Sequence, residues 1–364
     1  MEDSPVSKVT IHDVAVRAGV SIGTVSAVIN HKSTVSKGTR QKVLKAIREL
    51  NYRPSAAARR RLQPAEEKSI GLVIKEVHNP YFADIIIGVQ QTAAEKGYHV
   101  LVVSSERIYK QEQELVDLLV AKDVEGIIIN PLFDEQADLS HLFDIKRRNI
   151  PLVLIENVRG IQASMVDVDN VDAERAAVEY LIDHGHKHIV HFAGPKYSMH
   201  SDERIEGVRK AFSAHRLVID DEDIVHVGAR LEDGYRAGLA FFRDRGEARP
   251  TAVTCYNDLV ALGLIRALRE LGLRVPEDVS VIGYDDIDMA SYASVPLTTV
   301  HVPKKTMGAQ AAEILIRHIE ALDAGTIEKI CLPARLVVRA STRSLHPDDA
   351  GAVLGAGPPS SAAS

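Results

Sequence analysis

Seven short apolar runs constrain this chain more than anything else in it. They are IGLVI (70–74), YHVLVV (98–103), GIIIN (126–130), PLVLIE (151–156), HIVHF (188–192), TAVTCY (251–256) and VSVIGY (279–284). Each is nearly continuous in Val, Ile and Leu, and stretches of helical periodicity separate them. A strand with one wet face alternates polar and apolar residues, so continuous runs of this kind need cover on both faces. They read as parallel strands in βαβ units. There are too many for one small sheet, and about 275 residues fit a pair of doubly wound subdomains. The expected core is 68–345, divided roughly as 68–166 with 296–328 and as 167–295 with 329–345.

Upstream the pattern is helical throughout. Thr10 can cap a helix whose apolar face is Ile11, Val14, Ala15 and Ala18; Gly19 supplies a sharp turn and Val20 plugs the corner. Ser21 caps a second helix with Val25, Val28 and Ile29 turned inward. A third starts at Ser36 and runs through Val43, Leu44, Ile47 and Leu50 to Tyr52. Two helices about a short glycine turn make a helix-turn-helix. The predicted order is therefore an all-α headpiece (1–53), an Ala/Arg-rich hinge or linker (54–67), the α/β core, and a disordered Ala/Gly/Pro/Ser-rich tail (346–364).

Charge divides the chain in the same place. Residues 1–64 hold 12 Lys and Arg against 4 Asp and Glu, a net +8; the other 300 hold 32 against 46, a net −14. A basic module on an acidic domain points to nucleic acid. The outward face of the second helix, Ile22, Gly23, Ser26, Ala27 and Asn30, lacks the long charges of a solvated face. Lys32, Lys37, Arg40, Lys42 and Lys45 surround it at positions suited to phosphate.

The sequence resembles the LacI/GalR family of bacterial transcriptional regulators. The headpiece carries IHDVA (11–15), AGVS (18–21), TVS (24–26), VIN (28–30) and LNYRP (50–54). The core carries SIGLV (69–73), NPYF (79–82), HGH (184–186), AGP (193–195), RIEG (204–207), GLRVPEDVSVIGYDD (272–286), PLTTV (296–300) and VRAST (338–342). The resemblance implies a cytoplasmic homodimer, or a higher oligomer, that binds a palindromic double-stranded DNA operator. It also implies a periplasmic-binding-protein-like core that senses a small molecule.

Two departures from the family pattern bear on DNA reading. The positions after the capping Ser21 are Ile22 and Gly23, with Ala27 further on, so bidentate base readers are few. Ser26, Asn30 and His12 remain as polar readers; Ile22 and Ala27 suit thymine methyls, and DNA shape carries the rest. In the hinge, Ala56, Ala57, Ala58 and Arg59 favour a helix, but the family's wedging leucine falls on Arg61, with Leu62 one residue later. Either Leu62 wedges in a shifted register or Arg61 enters the groove; a flexible basic linker is the third reading.

Ligands of doubly wound domains bind beyond the carboxyl ends of the strands. Those ends here are Asn79 to Phe82, Asn130, Glu156, Asn257 with Asp258, and Asp285 with Asp286, with Arg204 opening a helix nearby. The resemblance places effector contacts at Asn130, Glu156, Arg204, Asn257 and Asp285, with Tyr81 or Phe82 as an aromatic wall. Asp258 reads chiefly as a helix N-cap. A sugar, a sugar acid or a nucleobase would suit this set. Inducer and corepressor modes both stay open.

Other chemistries find little support. No run of eighteen apolar residues predicts a membrane span, and no secretory signal is seen. Cys255 and Cys331 read as inert core thiols. His184, His186 and His188 alternate, but no Cys or carboxylate completes a metal set, and no cofactor is expected. No P-loop, GxSxG, HExxH or GxGxxG occurs, so the chain does not read as an enzyme. The rival reading is a small-molecule-binding protein with a vestigial headpiece.

Overall fold

The computed structural model describes residues 10–29, 35–50, 52, 68–132, 138–158, 160–196, 198–243, 245–320 and 326–346. Helices α1 (Ile11–Ala18), α2 (Ile22–Ile29) and α3 (Lys37–Glu49) form the headpiece. Thr10 accepts the Asp13 N–H while the Asp13 carboxylate accepts the Thr10 N–H, a reciprocal capping box. Gly19 sits at φ 65°, the left-handed geometry a non-glycine residue resists. The Ser21 hydroxyl accepts from Thr24 N at 3.1 Å, and Ser36 accepts from Thr39 N at 3.3 Å. Val14, Ala15, Val25, Val28, Ile29, Val43 and Ala46 close a small core, with Val20 packed at its corner.

The core contains two six-stranded sheets. Strands β1 (Ser69–Ile74), β2 (His99–Ser104), β3 (Ile127–Ile129), β4 (Leu152–Ile155), β5 (Ser164–Val168) and β11 (Lys329–Leu332) form the first, in the order β11-β5-β4-β3-β1-β2, all parallel. Strands β6 (Ile189–Ala193), β7 (Ile224–His226), β8 (Ala252–Cys255), β9 (Ser280–Asp285), β10 (Thr298–His301) and β12 (Arg335–Val337) form the second, ordered β12-β10-β9-β8-β6-β7. Only β12 is antiparallel there.

Helices cover both faces of each sheet. On the first lie α4 (Tyr81–Glu95) and α12 (Lys304–Glu320), opposite α5 (Tyr109–Ala121) and α6 (Ser140–Arg147). On the second lie α7 (Asn170–Asp183) and α8 (Met199–Ala214), opposite α9 (Leu231–Phe242) and α10 (Asp258–Glu270), while the short α11 (Asp288–Tyr292) follows β9. Reciprocal glycines bring helices into backbone contact. A Cβ on Gly88 of α4 would collide with the Lys305 carbonyl of α12, and one on Gly308 with the Ile85 carbonyl. Gly234 and Gly263 do the same for α9 and α10.

The lobe boundaries correct the expected division. Strand β10 lies in the second sheet, pairing Thr298 with Ile282 and His301 with Asp285, whereas the expected division puts 296–328 in the first lobe. Strand β11 pairs with β5 in the first sheet, whereas the expected division puts 329–345 in the second lobe. The chain thus crosses three times: between β5 and α7, between β10 and α12, and between β11 and β12. Strand β10 is hard to see because two of its three buried residues are threonines, satisfied by partners from distant segments: Thr298 Oγ1 lies 3.0 Å from Thr342 Oγ1, and Thr299 Oγ1 donates to Asp258 at 2.5 Å.

Two smaller expectations also change. Cys255 is buried, but Cys331 is exposed, because β11 is an edge strand with alternating exposure. His346, read as the start of the tail, places Nε2 2.8 Å from the Asp183 carbonyl oxygen; 347–364 lie outside the described residues.

The helix contacts generate a paired expectation. Gly88→Ala lowers stability by about 1–3 kcal/mol in urea unfolding, since added volume has nowhere to go. Gly38→Ala on α3, where nothing lies within 4 Å of the added carbon, raises headpiece stability by about 0.5–1 kcal/mol.

Candidate effector cleft and DNA-reading face

In the headpiece, α1 and α3 pack behind α2, so one side of α2 stays open. Ser21, Ile22 and Gly23 are exposed, Ile22 at 46%, while Ser26 and Ala27 are half-buried. His12 is exposed on α1. A shallow groove bounded by Ser21, Gly23, Thr24, Ala27, Ser36 and Thr39 runs along this face. Asn30, Arg59, Arg61 and Leu62 lie outside the described residues.

Parallel strands point all their carboxyl ends one way, and the helices that follow begin there. The resulting cleft is lined by Lys75, Asn79, Tyr81, Phe82, Arg107, Asn130, His200, Arg204, Tyr256, Asn257 and Asp285. Of the expected contacts, Tyr81, Phe82, Asn130, Arg204, Asn257 and Asp285 therefore converge. Glu156 is fully buried just behind, its Oε2 2.5 Å from Lys75 Nζ and accepting from Asn130 Nδ2 at 3.1 Å. Among the described residues its Oε1 has no partner. Glu156 and Asp285 follow or close β4 and β9 at φ 134° and 105°. Such conformations are unfavourable for residues with a Cβ and persist where surrounding structure imposes them, commonly at binding sites.

Arg204 is held by a box of acceptors and rings. Its guanidinium stacks 3.5 Å from the Tyr284 ring centroid and 4.7 Å from that of Tyr256. It donates to Asn170 Oδ1 at 3.3 Å and to the Tyr256 carbonyl, and Asp285 Oδ1 lies 4.0 Å away. Burial raises the Asp285 carboxyl to about 6, although Arg204, Lys304 and His200 pull it back. Lys304 donates to the Asp285 and Asp286 carbonyls at 2.5 and 2.9 Å, fixing the end of β9 beside the second crossing.

His200 was not anticipated. Its Nε2 lies 3.2 Å from Asp167 Oδ1. Burial opposes its charge, but Glu156 and Asp167 outweigh burial and raise its pKa to about 9. Asp167, His200 and Glu203 bring ligand-type atoms within 4.8 Å of one another. Asp167 is nevertheless occupied by the Asn157 and Val168 N–H groups and Glu203 by Asn170, while protonated imidazole does not bind a metal. Lys75 and Tyr256, also missed, close the apolar runs at 70–74 and 251–256, where the strand-end rule would have found them. His200 lies one helical turn before Arg204, on the same face of α8.

The structure also reverses two assignments at α10. Asn257, not Asp258, is the N-cap: its Oδ1 accepts from Val260 N and its Nδ2 donates to the Ala229 carbonyl, both at 2.9 Å. Its amide is therefore spent on the fold although it lines the cleft. Asp258 accepts from Ile287 N at 2.8 Å and from Thr299. The histidine triplet does not converge. His184 Nδ1 lies 2.6 Å from the Tyr180 carbonyl oxygen at the end of α7, His186 bridges Thr251 and Arg343, and His188 faces Asp223.

A helix-turn-helix headpiece ahead of a two-lobed core with a polar cleft defines a DNA-binding regulator built on a periplasmic-binding-protein-like fold. Residues 10–55 match the model described as bacterial regulatory proteins, lacI family, and 178–342 match the periplasmic binding protein-like domain. The HTH-type transcriptional repressor PurR of Vibrio vulnificus is 38% identical over 314 residues, covering 85% of this chain and 92% of that protein. A solved complex of the transcriptional regulator CelR with cellobiose is 31% identical, covers 92% of this chain and 99% of that one, and gives a TM-score of 0.68. The lac repressor dimer bound to operator and the anti-inducer ONPF is 29% identical, covering 93% and 100%, with a TM-score of 0.68. The chain belongs to the LacI family of bacterial transcriptional regulators. No helix among the described residues is long and apolar enough to cross a membrane.

The electrostatics of His200 predict a pH effect. Its folded pKa lies above the ordinary 6.5, so its contribution to stability is complete below 6.5 and is lost as pH rises through about 9. His200→Gln should flatten the fall in unfolding free energy across that window in urea titrations; an unchanged slope would place the effect on another group.

Proposed function

We propose that this protein is a dimeric repressor that binds a palindromic operator through α2 and the hinge, and that a small polar molecule in the cleft controls its DNA affinity. The observation that carries the reading is that two lobes, joined by three crossings of the chain, both contribute candidate effector residues to one cleft. A ligand touching both lobes favours one relative orientation over another, and it changes DNA affinity only by its differential binding to those two states.

Several contacts bridge the lobes in the present arrangement, among them His200 to Asp167 and Lys304 to the Asp285 carbonyl, and one joins an arginine from each side. Glu76, next to Lys75 after β1, is 2% exposed and pairs with Arg107 of its own lobe at 3.1 Å and with Arg230, at the start of α9 in the other lobe, at 3.2 Å. Dimerisation suits the exposed apolar residues spread over both lobes, among them Leu101, Leu118, Met289 and Tyr292, the last at 88% exposure. The effector is a sugar, a sugar acid or a nucleobase, and no catalytic role is assigned to the cleft. His12, Ser21, Ile22, Gly23, Ser26, Ala27 and Asn30 face the operator, with Arg59 and either Arg61 or Leu62 at its centre.

Fragments selected from the genome for binding supply the operator for the test. In fluorescence anisotropy the affinity should fall steeply and log-linearly with salt, by about 0.9 in slope per phosphate neutralised. Ile22→Asp should abolish specific binding without unfolding the headpiece, because Ile22 projects from the α2 face. A larger loss for Leu62→Ala than for Arg61→Ala assigns the groove contact to leucine, the reverse assigns it to arginine, and equal small losses assign a plain linker. Weak, salt-insensitive association would favour the vestigial-headpiece reading.

A further inference from the structure

We infer that the cleft is built for an anionic effector, a compact polyhydroxylated molecule whose single acidic group is received by Lys75 and His200 beside the Tyr256 hydroxyl. This rests on the cleft being the effector site, and it narrows the three chemical classes proposed above to one. Lys75 comes from the first lobe, at the end of β1; His200 comes from the second, in the first turn of α8. Both line the same cavity together with Tyr256.

The donors are held ready and not fully used. Lys75 gives Glu156 one of its three N–H groups, and its side chain is 12% exposed. His200 turns Nε2 to Asp167, and its Nδ1 has no partner among the described residues, although the residue is 8% exposed. Arg204, one turn along α8, completes the basic wall. Both donors face the cavity with N–H groups that no acceptor among the described residues takes up, and charged donors make the stronger hydrogen bonds, so these groups are placed for an acceptor that arrives with the ligand. The carboxylates paired with them, Glu156 and Asp167, do not line the cavity. The ligand therefore meets the cations first. Asp285 is the carboxylate in the lining, on the Arg204 side, where it suits hydroxyl donors.

Two further features agree. Burial alone would push the Tyr256 phenol up, yet Arg204, His200 and Lys75, with a hydrogen bond between its hydroxyl and that of Ser198, bring it below its ordinary value. The space around that hydroxyl is thus electropositive. The amino end of α8 adds its partial positive charge at the same place: its cap Ser198 lies 3.4 Å from the Tyr256 hydroxyl, and His200 is in its first turn.

The acidic group could be a carboxylate or a phosphate, and calorimetry on the full-length protein separates the two. The probes are D-gluconate and D-glucuronate, D-glucose 6-phosphate, and the neutral controls D-glucose and adenine. At least one acidic probe should bind tenfold or more tighter than both neutral controls; the carboxylates and the phosphate identify the source by their order. His200→Gln, which is nearly isosteric, should cut that preference at least tenfold. The double substitution Lys75→Met/Glu156→Gln removes the pair together, leaves no lone buried charge, and should do the same. Failure of every acidic probe to bind, equal binding of D-glucose, or a preference untouched in both variants would overturn the inference. Operator affinity measured in the same samples keeps the two readings apart. A neutral probe that alone binds and shifts operator affinity leaves the repressor reading standing and sinks the anion. An acid that binds with no effect on operator affinity does the opposite.

Discussion

The structure depends on the direction of its strands. Each lobe is a parallel sheet apart from β12, so the carboxyl ends of its strands, and the amino ends of the following helices, gather along one edge. Backbone donors, helix dipoles and the side chains that close each run concentrate there, while apolar residues fill both faces behind it. Two such edges facing each other make a polar cleft from opposite walls without any residue being specialised for that purpose by its neighbours in sequence. Lys75, Asn130 and Glu156 come from ends of the first sheet; Tyr256, Asn257 and Asp285 come from ends of the second.

Within that cleft, charge is balanced in layers. The cations Lys75, His200 and Arg204 lie toward the cavity, with Glu156 and Asp167 behind the first two. Buried charges are tolerated only when paired and hydrogen-bonded, and each pair fixes the orientation of its outer member. The same economy is seen at the edge of the cleft, where a single buried carboxylate, Glu76, joins an arginine from each lobe. Arg107 belongs to both arrangements, pairing with Glu76 and lining the cleft, so a ligand there meets the contact that joins the lobes.

The headpiece was almost wholly legible, because its signals are local. Thr10, Gly19, Ser21 and Ser36 each act within three or four residues of themselves, and the spacing of Val14, Val25, Val28 and Val43 is a direct record of which side faces inward. Six of the seven continuous runs correspond to buried strands for the same reason; the seventh, YHVLVV, is β2, a half-exposed edge strand. Strands β5, β7, β10, β11 and β12 left no such record: they are short, polar or at edges, and their burial is supplied by partners far along the chain. The buried hydroxyls of Thr298 and Thr299 find their partners in Thr342 and Asp258, more than forty residues away.

The sequence alone determined the division into a basic helical reader of DNA and an acidic α/β core, because charge and hydrophobic period are properties of consecutive residues. It also determined most of the cleft, since strand ends are local features. Tertiary structure decided what could not be local. It decided which lobe owns β10 and β11, which depends on pairing across more than a hundred residues for β11. It decided that Asn257 rather than Asp258 caps α10, which depends on where the Ala229 carbonyl and the Ile287 N–H arrive. And it decided that His200 carries a charge, because that charge is set by Glu156 and Asp167, two carboxylates from the ends of β4 and β5 that only the fold brings to its side.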